Sequence, residues 1–453
     1  MVFRSFLRNS LRNFRLALPK LGVGWMFALL TSNFNRIAIV ELGIAAVLIT
    51  TLIGLHHFLS PFQVIMGRIA DRRPILGMRR TPYLLLSGIV ASLVFVALPG
   101  VATAMGQRQP LAFAACIGLV LLFGISSATM GDCHHSLIAE VTPPAQRSST
   151  IAVVWTFTII STIIAAGVIK TMMPTYTPAS MQQVYNLTPL VVIISVLLGT
   201  VGMEKRLNPT DMAAAIERSR AASPAGNPVT ASVRLLRENA QVRTFFGFIF
   251  LSILGIFLQD AVLEVFGAEA FNMTVKETTG FTQTWGGGVL IGMVIMGVIA
   301  AIRPLSKKAM ATVGGAGTAL GLGLLTLTAI MGQQTLLNPA LILMGFATGI
   351  YNVGALALMM DMTKEGATGI YMGIWGVAQA FGTAFASILS GAMHSLLIES
   401  KLLSVASGFS VIFGVETVIM VVGIALLRSV SVEEFHGVTR DDLTRAMETS
   451  ASA

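Results

Sequence analysis

Apolar runs long enough to cross a bilayer follow one another along almost the whole chain, separated only by short charged segments. A spanning helix needs about 20 apolar residues, and twelve such runs read at about 20–40, 43–65, 82–104, 110–138, 148–171, 187–203, 243–265, 280–302, 309–331, 336–360, 367–395 and 403–427. Their period is helical, and the alternating pattern of membrane-barrel strands is missing. Only 11% of the 453 residues are charged and 54% are hydrophobic, against about 25% charged in a soluble domain. A folded globule needs a charged skin, so a cytosolic enzyme and a disordered regulator are both excluded. Cys116 and Cys133 lie in apolar runs, which argues against a disulfide scaffold and a CxxC metal site. The predicted fold class is an all-α integral membrane protein with twelve transmembrane helices.

Lysines and arginines sort by side. One side takes the N-terminal arm, the loop after the second run with Arg68, Arg72, Arg73, Arg79 and Arg80, Arg147, the long central loop, Arg303, Lys307, Lys308, Lys364, Arg428, Arg440 and Arg445. The rest are Arg36, Arg108, Lys170, Lys276 and Lys401. The positive-inside rule then predicts that both termini are cytoplasmic, as an even span count requires. The net charge of +9 reads as topology and predicts no nucleic-acid partner. In the arm, Arg4, Arg8, Arg12 and Arg15 recur on one helical face among Phe3, Phe6, Leu7, Leu11 and Phe14. This predicts an amphipathic helix on the anionic cytoplasmic leaflet.

Residues 204–242 form the only long polar stretch, with Ala, Ser and Pro from Ala221 to Pro228. They read as a flexible linker. The expected organisation is an arm at 1–18, a six-helix bundle at 19–203, the linker at 204–242, a second bundle at 243–428 and a cytoplasmic tail at 429–453. The two halves share weak symmetry. Asn35, Arg36, Glu41 and Gly43 near the first run match Gln259, Asp260, Glu264 and Gly267 near the seventh, 224 residues apart at both ends (35 to 259, 43 to 267). Glu140 with Trp155 matches Asp361 with Trp375, at offsets of 221 and 220 (140 to 361, 155 to 375). Six plus six helices in parallel repeats about a pseudo-twofold is the major facilitator layout.

The loop after the second run is the most specific motif. Gly67 permits close helix approach, Asp71 can cap a helix or pair with an arginine, and Arg72, Arg79 and Arg80 hold the loop at the cytoplasmic face. This Gly67-to-Tyr83 string resembles the cytoplasmic signature of the major facilitator superfamily. Together with Asn35–Gly43, Gln259–Gly267 and Tyr371–Gln379, it resembles the PucC/LhaA family of light-harvesting-complex assembly proteins, also called the bacteriochlorophyll delivery family. The resemblance covers Leu18 to about Arg428. It implies a membrane assembly factor of a photosynthetic bacterial inner membrane or thylakoid. The implied partners are antenna polypeptides, the lipid membrane, and (bacterio)chlorophyll or its synthesis enzymes, with pigment as cargo. A secondary transporter of a tetrapyrrole or small solute is the alternative.

Ionisable groups inside spans mark functional candidates. Arg36 and Glu41 are five residues apart, which disfavours an intrahelical pair, so Arg36 is expected to reach Asp260 or Glu264, with Asn35 and Gln259 beside them. A structural lock, a gated substrate or proton path, and a pigment contact all remain open for this cluster. His56, His57, His134, His135 and His394 are candidate axial ligands for chlorophyll magnesium, against the alternative of neutral rings bonded to neighbouring helices. Adjacent histidines point about 100° apart on a helix, so one of each pair at most is expected to face a given pocket. Asp132 is a candidate for orienting a histidine ring. Gly286–Gly288 and Gly382 suit helix packing or docking. No HExxH, phosphate-binding loop or nucleophile elbow occurs, so no enzyme activity is expected.

Overall fold

A computed structural model describes residues 2–143, 146–222, 228–303, 305–363 and 368–437. Lys364, Arg440 and Arg445 of the charge sort, residues 223–227 of the linker and residues 438–453 of the tail lie outside them. Among the described residues the only ladder contact is one bridge between Ile75 and Met78. It closes a turn in which Leu76 and Gly77 both have positive φ.

Among the described residues, eleven helices are long and apolar enough to cross a bilayer. The second of the twelve expected spans is present but broken into Ala46–Leu55, a 3-10 turn at His56–Leu59, and Phe62–Arg72. Pro61 is the cause, since it lacks the N–H that would carry the helix through. Several helices begin on prolines whose fixed φ suits a first turn, among them Pro19, Pro110 and Pro178. Asn239, Ser306 and Ser404 cap others by accepting the backbone N–H three residues on.

The first span departs from an α-helix twice, with π-helical turns at Ala28–Phe34 and Ile37–Glu41. The seventh breaks at a 3-10 turn, Gln259–Ala261, between Ala240–Phe257 and Leu263–Phe271. A third π-helical turn, Ser395–Glu399, ends the eleventh span.

The chain divides into two compact units, Met1–Ser219 with Ala261–Gly286, and Arg220–Asp260 with Gly287–Ala453. The segment 261–286, expected in the bundle at 243–428, groups with the first unit, and its backbone shows why. Ala261 O accepts from Asn35 Nδ2, Met273 O accepts from Arg36 Nη2 at 3.1 Å, and Lys276 N donates to Pro174 O at 3.2 Å.

One expectation is corrected here. The stretch read as a flexible linker contains the helices Pro209–Ala222 and Pro228–Glu238. Asn208 caps the first by accepting from Asp211 N at 2.8 Å, and Met212, Ala215 and Leu235 are buried. The N-terminal arm is helical over Val2–Ala17, and its last turns pack on the bundle. Leu16 and Ala17 are buried with Leu137, Ile138 and Val154. Arg12 donates to Gln146 Oε1 at 2.6 Å, and Arg15 donates to Leu198 O at 3.1 Å.

Candidate functional site

The π-helical first span gathers a buried polar network within the first unit. Arg36 Nη1 lies 2.7 Å from Glu41 Oε1. This overturns the expected pairing of Arg36 with Asp260 or Glu264, and helix geometry explains it. A π-turn brings residues i and i+5 together, and Leu42 N donates to Ile37 O across five residues at 3.0 Å. The spacing that is wrong for an α-helix is right here. The guanidinium is buried, and Nη2 donates to Met273 O while Nε has no acceptor.

Further partners complete the network. Asn35 donates to Ala261 O. Buried Glu264 accepts from Thr282 Oγ1 at 3.3 Å, and Thr282 shares a 3.1 Å hydrogen bond with Ser32. Tyr185 donates to Leu29 O at 2.9 Å and lies 3.2 Å from Asn33 Oδ1. Sequence reasoning missed Ser32, Asn33, Tyr185 and Thr282. Tyr185, a phenol beside an apolar run, was the one available signal, because a buried Tyr needs a hydroxyl partner.

In the second unit Gln259 N donates to Glu416 Oε1 at 2.7 Å. The 3-10 break frees this N–H from the helix ladder, and fully buried Glu416 receives it. Asp260 sits at the same break.

The loop after the second span forms a compact ion-pair cluster. Asp71 accepts from Arg80 and lies 3.6 Å from Arg79. Glu140 accepts from Arg79 at 3.1 Å and from Arg80 at 3.0 Å. Glu204, which sequence reasoning passed over, accepts the backbone N–H groups of Arg79, Arg80 and Thr81 at 2.6, 2.9 and 2.6 Å. It thereby caps the third span with a carboxylate at the positive end of the helix. Burial opposes the Arg80 charge, but Asp71 and Glu140 outweigh it and raise its pKa. Gly67 is packed against the neighbouring helix: a Cβ there would meet the Asp132 carboxylate at 2.7 Å. Asp132 therefore faces Gly67, not a histidine ring as expected. Arg72 is exposed. The second unit repeats the arrangement, with Lys307 Nζ 2.5 Å from Asp361 Oδ1. In each unit an acid ending the fourth or tenth span holds a base from the start of the third or ninth span.

The histidines divide. His56 and His57 lie on the 3-10 turn, with ring centroids 3.8 Å apart. The expectation that adjacent rings diverge fails there because the turn is not α-helical. His56 Nδ1 lies 2.5 Å from Ile53 O, and His57 Nε2 is buried without a partner. His134 is buried with Nε2 2.7 Å from Leu16 O, while His135 is exposed. His394 is buried against Phe409, with Nδ1 3.4 Å from Glu399 Oε1, again across five residues of a π-turn. Among the described residues no cluster of three metal-ligating side chains forms. The glycines are mostly used in packing. A Cβ on Gly288 would lie 3.0 Å from Phe346 N and one on Gly382 would lie 2.9 Å from Phe250 O, while Gly287 faces open space.

The family model described as PUCC protein matches residues 33–435. The "Bacteriochlorophyll synthase 44.5 kDa chain" of Rhodobacter capsulatus is 28% identical, over 91% of this chain and 93% of that protein. "Protein PucC" of Cereibacter sphaeroides is 27% identical, over 84% of this chain and 83% of its own length. Solved transporters share the fold. A POT family transporter in complex with a thioalcohol-conjugated peptide has a TM-score of 0.67 at 13% identity, covering 93% of this chain and 96% of that one. A D-xylose–proton symporter has a TM-score of 0.64 at 15% identity, covering 90% and 96%. The fold is thus that of major facilitator transporters.

Proposed function

The chain belongs to the PUCC protein family, and on that premise we propose that it is a membrane assembly factor for light-harvesting antenna complexes. It binds nascent antenna polypeptides, or delivers (bacterio)chlorophyll to them, in a photosynthetic bacterial membrane, with both termini cytoplasmic. Relatives named for PucC and for bacteriochlorophyll support the photosynthetic setting.

The observation that carries the reading is the use made of the intramembrane polar groups. A solute carrier needs polar side chains from several spans converging on its cargo. Here Asn35, Arg36, Glu41 and Glu264 bond to side chains and carbonyls of their own unit. They lock a broken helix in place, which suits a scaffold. The word synthase in one relative's name is not carried over, since the sequence holds no catalytic constellation.

A deletion strain tests the proposal through antenna absorption, pigment intermediates and antenna transcript. The expected result is a fall in one antenna complex with pigment synthesis and transcript intact. Normal antenna levels refute the proposal and leave solute transport as the reading. Accumulation of one biosynthetic intermediate refutes it in favour of an enzyme.

A further inference from the structure

Lys20, on the helix Pro19–Phe27, is only 7% exposed. Among the described residues it has neither a carboxylate partner nor a hydrogen bond. A cation in an apolar setting without a counter-charge is costly. What it does meet is the ring of Trp155, with Nζ 5.2 Å from the centroid, and Trp155 is 38% exposed.

The internal repeat sharpens the contrast. Trp375, the counterpart of Trp155, is fully buried, donates to Met362 O at 3.2 Å and packs edge-on against Phe245 at 4.8 Å. The second unit thus spends its tryptophan on core packing. The first unit instead sets a cation against its tryptophan and leaves that ring partly on the surface.

We propose that Lys20 and Trp155 form a binding site for the anionic headgroup of an amphiphile entering from the bilayer. The carboxylate or phosphate pairs with Lys20, and the apolar body lies along the Trp155 ring. Lysine serves both anions as a point charge, and an indole offers a large apolar face with a polar edge. Two sources share this chemistry, an acidic phospholipid and a tetrapyrrole with a free carboxylate. The tetrapyrrole source rests on the proposed function, whereas the phospholipid source does not.

The experiment uses the full chain in nanodiscs. In phosphatidylcholine discs, binding of pheophorbide a and of its methyl ester is followed by pigment fluorescence. For a tetrapyrrole carboxylate, the free acid binds about tenfold tighter than the ester, the size expected for a charge-assisted hydrogen bond. The gap closes in Lys20→Met and returns in Lys20→Arg. For a phospholipid source, acid and ester bind alike, but phosphatidylglycerol retained through purification falls in Lys20→Met and not in Lys20→Arg. Should Lys20→Met fail to fold, Trp155→Leu, a change at a partly exposed position, is read in the same two assays and weakens whichever ligand binds. Equal binding of acid and ester, with phosphatidylglycerol retention unchanged in the variants, overturns the proposal.

Discussion

Replacing Glu41 by alanine strips Arg36 of its counter-ion while leaving the guanidinium in place. Removing one partner of a buried ion pair costs about 3–5 kcal/mol. Two features reduce that figure here. The Glu41 side chain is 31% exposed against 3% for Arg36, so solvent already screens the pair. The bond to Met273 O, at 3.1 Å, also survives. A loss of about 2–3 kcal/mol remains, within the range of named severe mechanisms. Melting entropy is about 2.1 cal/mol/K per residue, so a chain of this length should lose roughly 2–3 °C in melting temperature. Thermal unfolding in a mild detergent, read by tryptophan fluorescence, measures it. Glu41→Gln keeps an acceptor and should lose less than half as much. The double variant Arg36→Met with Glu41→Leu should recover most of the loss, since an apolar pair replaces a buried ionic one at little cost. A double-mutant cycle with no coupling refutes the pairing.

Glu204→Ala leaves three backbone N–H groups of the third span without their acceptor and should cost about 1–2 kcal/mol, the range for lost caps. Faster proteolysis of the 73–81 loop, followed by mass spectrometry, reports the release of that loop. Gly314→Leu should abolish stable expression, because even a Cβ there would sit 2.2 Å from Tyr351 N on the neighbouring helix; Gly323→Leu, which meets open space, should express normally in the same blot. Asp361→Asn should weaken the Lys307 pair, whose partners are both more than a third exposed, by less than about 1 kcal/mol. A melting shift above that size would show the second ion-pair cluster to be more deeply coupled than its exposure implies.

Hydrophobic length made the spans legible, because a bilayer imposes one dimension on every helix that crosses it. The Gly67–Arg80 motif was legible for a related reason, as charges cluster where the chain leaves the apolar layer. Arg36 and Glu41 were found as residues but mispaired. The pairing rule applied to them belongs to a helix of 3.6 residues per turn, and no side-chain pattern announced the π-turn at Ile37–Glu41. The histidine pair at 56 and 57 failed in the same way, since Pro61 turned an expected α-helix into a 3-10 segment. Glu204 was passed over because a helix cap is recognised by what folds back onto it, here a loop 123 to 125 residues away in sequence. Local backbone departures and long-range caps are set by tertiary packing, and periodicity carries no record of either.

The discontinuous make-up of the first unit has a consequence for synthesis. Its segment Ala261–Gly286 follows Ser219 only after the whole of Arg220–Asp260 has been made. At about 5–20 residues per second, the ribosome takes roughly 3–13 s to add residues 220–286 once Ser219 is in place. During that interval Arg36 lacks Met273 O and Asn35 lacks Ala261 O, so the first span waits in the membrane with its polar groups incompletely matched. Insertion machinery or a holding chaperone has that window in which to shield it. Substitutions in residues 261–286 should therefore trap a half-made N-terminal bundle, although they lie well beyond its last span.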